Sequence, residues 1–266
     1  LWKNLPQKKM KTLATFIHTA LLLGLTYGSA LAQEFKLNRS TGSLVIREVN
    51  HVTISGHSGN EIIFRSSRGS AEEDSRAKGL RAISASGLED NTGLGISVVE
   101  KGSTVEVRQL KKMDGPDITI LIPAGVSIRY EHNSPYGDDL TISQFSGAVD
   151  VSIVHNDVKL DNVTGPITVK AIHSDVTITY NSPPTSPCFT SSEHGAVDVA
   201  LPVNTSARLT LSTEFGEILV DPAFKIDLAQ KDNMTRYNDL IEGQLNSGST
   251  EIKLSSTHSN IYLRKK

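Results

Sequence analysis

Gly147-Ala148-Val149-Asp150-Val151-Ser152-Ile153-Val154-His155-Asn156-Asp157-Val158-Lys159-Leu160 is repeated 18 residues later as Gly165-Pro166-Ile167-Thr168-Val169-Lys170-Ala171-Ile172-His173-Ser174-Asp175-Val176-Thr177-Ile178. The Val, Ile and Leu positions coincide almost throughout, and Val149, Val158, Ile167 and Val176 divide each period into halves of 9. The unit returns at Gly195-Ala196-Val197-Asp198-Val199, Gly216-Glu217-Ile218-Leu219-Val220, Thr250-Glu251-Ile252-Lys253-Leu254 and Ser259-Asn260-Ile261-Tyr262-Leu263. Within each half, apolar and polar residues alternate with period 2, the mark of a half-buried strand. Gly147, Asn156, Gly165, Ser174, Gly195, Gly216, Thr250 or Ser259 precedes each strand. Glycine and asparagine tolerate positive φ, so these positions are expected to be the corners. A strand, a corner and a strand cannot bury an apolar face alone. Stacking such rungs ~4.8 Å apart builds a continuous core and pairs the backbone groups. The repeat therefore predicts an all-β fold, an elongated β-solenoid or a related stack of short strands, with its handedness unassigned.

Outside the regular repeats of 131–266, residues 33–130 carry less even strand patterns. Leu44-Val45-Ile46, Val52-Thr53-Ile54, Ile62-Ile63-Phe64, Ile96-Ser97-Val98, Val105-Glu106-Val107 and Ile118-Thr119-Ile120-Leu121-Ile122 supply their apolar sets. Residues 71–85, with Glu72, Glu73, Asp74, Arg76, Lys78 and Arg81, read as a charged connector. The stretch 227–245 is the other place where the strand pattern is expected to break. Residues 33–266 are expected to form a single all-β repeat domain.

The first 32 residues read as a leader and secretory signal peptide. Lys8, Lys9 and Lys11 form a positive start, Leu13 to Leu25 is mostly apolar, and Ala30-Leu31-Ala32 offers a cleavage site. Met10 is the natural start under this reading. The apolar stretch is shorter than the ~20 residues of a membrane span. The expected product is exported, periplasmic or at the cell surface, and does not span the membrane after cleavage.

The chain of 266 residues has net charge −2, and without residues 1–32 it has 23 basic against 29 acidic residues, or −6. That balance leaves no electrostatic footprint for nucleic acid. A single cysteine, Cys188, excludes an intramolecular disulfide framework. Its place beside the proline-rich stretch 182–187 suggests an unpaired loop residue.

These residues resemble a known group. Asp117-Ile118-Thr119-Ile120-Leu121-Ile122-Pro123-Ala124-Gly125-Val126-Ser127, the Gly147 and Gly165 repeats and the terminal Ser259-Asn260-Ile261-Tyr262-Leu263 are similar to the bacterial "putative adhesin" domains of unknown function, or toast-rack proteins. Ala77-Lys78-Gly79-Leu80 and Asp90-Asn91-Thr92-Gly93-Leu94-Gly95-Ile96-Ser97 resemble the Bacteroidetes branch. The resemblance implies a stacked-strand fold at the cell envelope, no catalytic residues to carry over, and a role in adhesion or in envelope-stress assemblies. Asn156, Ser174, Thr250 and Ser259 stand where glycine-rich repeats would hold glycine.

Four groups of residues are candidates for chemistry. His155, His173, His194 and His258 each lie three residues before the first apolar strand position of their repeat, and Asp157 and Asp175 follow the first two histidines by two residues. In a stack, equal positions are neighbours, so His155, Asp157, His173 and Asp175 could form an edge cluster for a transition metal. A polar ladder at a corner is the preferred reading, because no ligand-spacing motif supports a metal, and insertions precede His194 and His258. Asp138, Asp139, Asp150, Asp157 and Asp161 are the candidate carboxylates for a carbohydrate-active enzyme, with Arg129 as the nearest base. Gly93-Leu94-Gly95 lacks the third glycine of a dinucleotide loop and reads as a turn. Tyr130, Tyr136, Phe145, Tyr180 and Tyr262 are the aromatic candidates for stacking on sugars, with Phe145 assigned to the core. No catalytic residue and no cofactor is expected.

The leading expectation is thus a non-catalytic binding or scaffold module of the cell envelope, whose partner is an envelope component, a glycan or a protein. The alternatives are an envelope-stress scaffold and a carbohydrate-active enzyme on the same architecture. Self-assembly through open ends is expected unless Arg264, Lys265 and Lys266 blunt them with charge.

Overall fold

The computed structural model describes residues 33–66, 76, 79–80, 82–229 and 239–266. The leader at 1–32 and most of the charged connector lie outside them. Ala32–Lys266 forms one compact unit, and the described residues contain 21 strands and no α-helix.

Eight rungs each place one strand in each of two sheets. They are β2 (Gly42–Arg47) with β3 (His51–His57), β6 (Thr104–Gln109) with β7 (Asp117–Pro123), and β8 (Val126–His132) with β9 (Leu140–Phe145). The regular repeats supply β10 (Val149–Val154) with β11 (Val158–Val163), and β12 (Ile167–Ile172) with β13 (Val176–Thr179). Then come β14 (Cys188–Ser192) with β15 (Val197–Leu201), β16 (Ala207–Thr213) with β17 (Ile218–Val220), and β20 (Thr250–Ser256) with β21 (Ile261–Lys265). Successive rungs pair in parallel and in the register of the sequence repeat, Val149 opposite Ile167 and Val158 opposite Val176. Val149, Val151, Ile153, Val158 and Leu160 are buried while Ser152 and Lys159 are exposed, as period 2 requires. One continuous Val/Ile/Leu core runs between the sheets.

Chain order and stacking order differ at both ends. The first rung, β2–β3, lies inside β6–β7, and the last, β20–β21, lies inside β16–β17. The expectation that Arg264, Lys265 and Lys266 guard an open end is therefore wrong. β21 sits between β15 and β17, the Arg264 Nε is 2.7 Å from an Asp198 carboxylate oxygen, and the Lys266 N–H donates to the Leu201 carbonyl. Antiparallel strands cap the stack instead. At one end β5 (Ile96–Lys101) covers β6, while β4 (Ile62–Ser66) covers β7 and β1 (Gln33–Leu37) covers β4. At the other, β19 (Asp239–Leu245) covers β16 and β18 (Ile226–Leu228) covers β19. The stretch 227–245 thus keeps strands at both of its ends.

Two further expectations are corrected. Cys188 is not in a loop: it is a fully buried residue of β14, opposite Ile167 and Ile252, and burial pushes its thiol pKa up. It behaves as core, not as a reactive thiol. The corner glycines do not supply positive φ either. From β9 to the corner before β13, the left-handed residues are Gln144 (φ 50°), His155 (φ 77°), Asn162 (φ 53°) and His173 (φ 55°). Gly195 and Gly216 are needed for space, since a Cβ on either would fall far inside 3.0 Å of the neighbouring rung's backbone, at the carbonyls of Ser174 and Ser259.

Candidate functional site

The corner that leads from the 11-stranded sheet to the 10-stranded sheet collects the sequence-predicted residues along one edge. After β10 and β12 the corner has three residues, His155-Asn156-Asp157 and His173-Ser174-Asp175. So short a turn needs a left-handed residue, and the histidine takes it, which costs roughly 1–2 kcal/mol for a non-glycine residue. After β14, β20 and β16 the corner has a fourth residue, Glu193, Thr257 or Glu214, and the left-handed step disappears. The position after the histidine, or after Phe215, holds Asn156, Ser174, Gly195, Ser259 or Gly216, and the first three of these are buried. The histidine before it is exposed.

The four histidines form one row. Ring centroids are 5.6 Å apart for His155 and His173, and 4.4 Å for both His173–His194 and His194–His258. The planes of the first two pairs are within 4° and 7° of parallel. Phe215 continues the row at the outermost rung, 5.0 Å from His258 and 73% exposed. The insertions before His194 and His258 therefore do not move them to other edges, because they bulge elsewhere in the rung.

Beside the histidines runs a second ladder. The Asp139 carboxylate accepts the Asp157 N–H at 3.1 Å, Asp157 accepts the Asp175 N–H at 2.7 Å, and Asp175 accepts the Ala196 N–H at 2.7 Å. Asn260 does the same for the Glu217 N–H at 2.8 Å. Burial raises the Asp157 pKa above the usual carboxylate value; the Asp175 N–H opposes this, and the Asp139 and Asp175 carboxylates add to the rise. Beneath lies a third ladder of buried hydroxyls. Ser192 Oγ donates to the Ser174 carbonyl and accepts the Gly195 N–H. Ser256 repeats this with Gly195 and Ser259, as Thr213 does with Ser259 and Gly216.

This geometry says what the edge can do. Imidazole lone pairs lie in the ring plane, and parallel planes aim them alike, so neighbouring rings do not converge on one ion. Asp157 and Asp175 each commit an oxygen to the backbone of the next rung. Among the described residues, no three His, Cys, Asp or Glu side chains are grouped to hold a metal. The row instead presents exposed imidazole rings at a one-rung repeat, with His258 Nδ1 turned to the Glu193 carbonyl at 3.0 Å, a polar array suited to a repetitive partner.

The other candidates disperse. Asp150 pairs across the sheet with Arg129 at 3.1 Å, and Asp138 meets His51 Nδ1 at 2.6 Å. Asp161 stays half-exposed on β11. Gly93 and Gly95 form the expected turn, with Asp90 accepting both N–H groups. Tyr130, Phe145 and Tyr180 are buried and offer no platform for sugars, whereas Tyr136 is exposed and Tyr262 lies under the Arg264 guanidinium.

Two solved structures are similar to this chain. A "putative cell adhesion protein" from Clostridium sporogenes is 11% identical, with a TM-score of 0.45, over 88% of this chain and 100% of that one. A "putative adhesin" from Bacteroides fragilis is 10% identical, with a TM-score of 0.31, over 86% of this chain and 95% of that one. No family model matches the chain, and no curated protein does.

Sequence reasoning missed Phe215, although it occupies the histidine position of the Gly216-Glu217-Ile218 repeat. It also missed a buried polar centre on the same edge. His132 is fully buried, with Nε2 3.1 Å from Asn50 Oδ1 and Nδ1 3.1 Å from Asn156 Nδ2. A neutral ring that donates from Nε2 and accepts at Nδ1 satisfies both neighbours. Burial lowers the His132 pKa; Glu48 opposes this, and His51 adds to it. No spacing signal marks His132, because it and its two partners come from three different rungs.

Proposed function

We infer that the protein is an exported, non-catalytic, adhesin-like binding module of the cell envelope or cell surface, with residues 33–266 acting as one domain after loss of the leader. The observation that carries this reading is the histidine row: four identical exposed side chains repeat at strand spacing on a rigid edge. An array of equal, weak contacts gains strength through multivalency against a repetitive partner. The order of positive, apolar and small residues in 8–32 supports export. Among the described residues no helix is long and apolar enough to cross a membrane.

Co-sedimentation of the purified protein with isolated envelope fractions, at low and high salt, tests the proposal. Saturable pelleting that survives salt is expected, and a variant with His155, His173, His194 and His258 changed to Ala should pellet less. Absence of pelleting at either salt concentration overturns the envelope-binding role.

A further inference from the structure

The same edge carries a pocket at the opposite end of the stack from Phe215. Strands β8, β2 and β6 are neighbours in that order, and their corner loops are residues 133–139, 48–50 and 110–116. With the turn at 84–88 these loops border a half-open cleft of about 330 Å³, lined by Arg108, Lys111, Lys112, Leu88, Leu110 and Asn50 among others. That volume falls at the lower end of the ~300–1,000 Å³ seen for small-ligand sites.

The loop that bears the lysines is held from below. Gln109 Nε2 donates to the Lys111 carbonyl at 2.7 Å, Asn50 Nδ2 donates to the Lys112 carbonyl at 3.1 Å, and Gln109 Oε1 accepts the Asn50 N–H at 2.9 Å. Both amide side chains belong to buried residues, and Asn50 is in turn fixed by His132. The backbone that carries Lys111 and Lys112 is therefore fixed before any ligand arrives, which lowers part of the ordering cost of binding.

Charge is unbalanced here in a chain that is acidic overall. Arg47 is compensated by Glu131 at 2.7 Å and Glu106 at 3.2 Å. Arg108 and Lys111 have no ion-pair partner among the described residues, and Lys112 has only the Tyr136 ring, 5.9 Å from its Nζ. Glu48 is the one acidic lining residue, and its carboxylate accepts the Asn133 N–H. Three cations on one wall, Leu88 and Leu110 beside them, and the hydroxyls of Ser86 and Ser134 complete the lining.

We propose that this pocket binds the acidic sugar unit of an anionic glycan, a pyranose bearing a carboxylate or sulfate. Arg108, Lys111 and Lys112 hold the anionic group, and Leu88 and Leu110 pack against the ring. The assignment to a glycan rests on the binding-module reading; the anion preference rests on the pocket alone.

Amide chemical-shift titration with glucuronate, inorganic sulfate and neutral glucose tests it. Glucuronate is expected to shift the amides of Gln109, Lys111 and Lys112 saturably, and glucose is not. Arg108→Gln with Lys111→Gln and Lys112→Gln should weaken glucuronate by about tenfold or more, as expected on losing charge-assisted contacts. The melting temperature should barely change, because these side chains make no ion pairs. Equal shifts with glucose, unchanged affinity in the triple variant, or no shifts at all would overturn the proposal. Inorganic sulfate binding as tightly as glucuronate would overturn the sugar assignment. The two readings also separate: glucuronate binding without envelope pelleting sinks the envelope role alone, and pelleting without glucuronate binding sinks the pocket alone.

Discussion

Replacing Gly195 with alanine tests the stacking of the rungs at its tightest point. The added Cβ would fall far inside 3.0 Å of the Ser174 carbonyl, with the Asp175 nitrogen at 2.8 Å, and both are backbone atoms that cannot swing away. The β12–β13 and β14–β15 rungs must separate by roughly 1 Å at this corner to restore ordinary contact. Three hydrogen bonds span the gap or anchor the glycine: Ser192 Oγ to the Ser174 carbonyl at 2.8 Å, Gly195 N–H to Ser192 Oγ at 3.0 Å, and Val176 N–H to the Ala196 carbonyl at 2.9 Å. At about 1 kcal/mol each, their loss amounts to about 3 kcal/mol, within the usual cost of overpacking. Gly102 is the control, because a Cβ there meets nothing within 4 Å and only its φ of +61° is strained. Gly102→Ala should cost ~1 kcal/mol. Urea unfolding reads both as shifts in midpoint at constant slope. A Gly195→Ala loss below about 1 kcal/mol, or no greater than that of Gly102→Ala, would refute the close-approach argument.

Further outcomes follow from the same edge. For His132, the unfolded chain takes up a proton near 6.5 while the buried ring resists it, so stability is full above that pH and falls as pH drops toward the lowered native value. The slope is at most ~1.4 kcal/mol per pH unit; His132→Gln should flatten it in urea titrations between pH 7 and 5, and an unchanged slope would contradict the buried neutral ring. Asp157→Asn keeps the acceptor for the Asp175 N–H, as Asn260 does naturally for Glu217, and removes a carboxylate from between two others. Because the native Asp157 pKa is raised, ionisation disfavours the fold, and the variant should gain about 0.5 kcal/mol at pH 7 and nothing at pH 3. His194→Ala removes two ring contacts at 4.4 Å and should cost about 1 kcal/mol, with His194→Phe recovering most of it in thermal unfolding.

The repeat made the stack legible because its signal is one-dimensional: Val149 and Ile167 are 18 residues apart in sequence and one rung apart in space. The same logic makes neighbours of His155 and His173, but the insertions before His194 and His258 hide from the sequence that these two continue the row. It failed where the chain departs from sequential stacking. Nothing in the residues of β20–β21 indicates that this rung slips inside β16–β17, so the sequence puts Arg264 at an end it does not occupy. The corner glycines were read through φ when their role is close approach, a distinction that depends on the neighbouring rung's backbone. The prolines before Cys188 suggest a loop, whereas burial alternates along β14 from Cys188 to Ser192 as a strand requires. The pocket of Arg108, Lys111 and Lys112 stayed hidden because it is assembled from loops far apart in sequence.

The central claim is that the corner edge is the binding face. Hydrogen-exchange footprinting of the protein bound to isolated envelope fractions tests it most directly. The account predicts added protection at His155 to Asp157, His173 to Asp175, Glu193 to Ala196 and Thr257 to Asn260, extending into residues 110–112. Protection confined to the sheet faces around Lys159 and Lys170, with the corners exchanging as in the free protein, would contradict it.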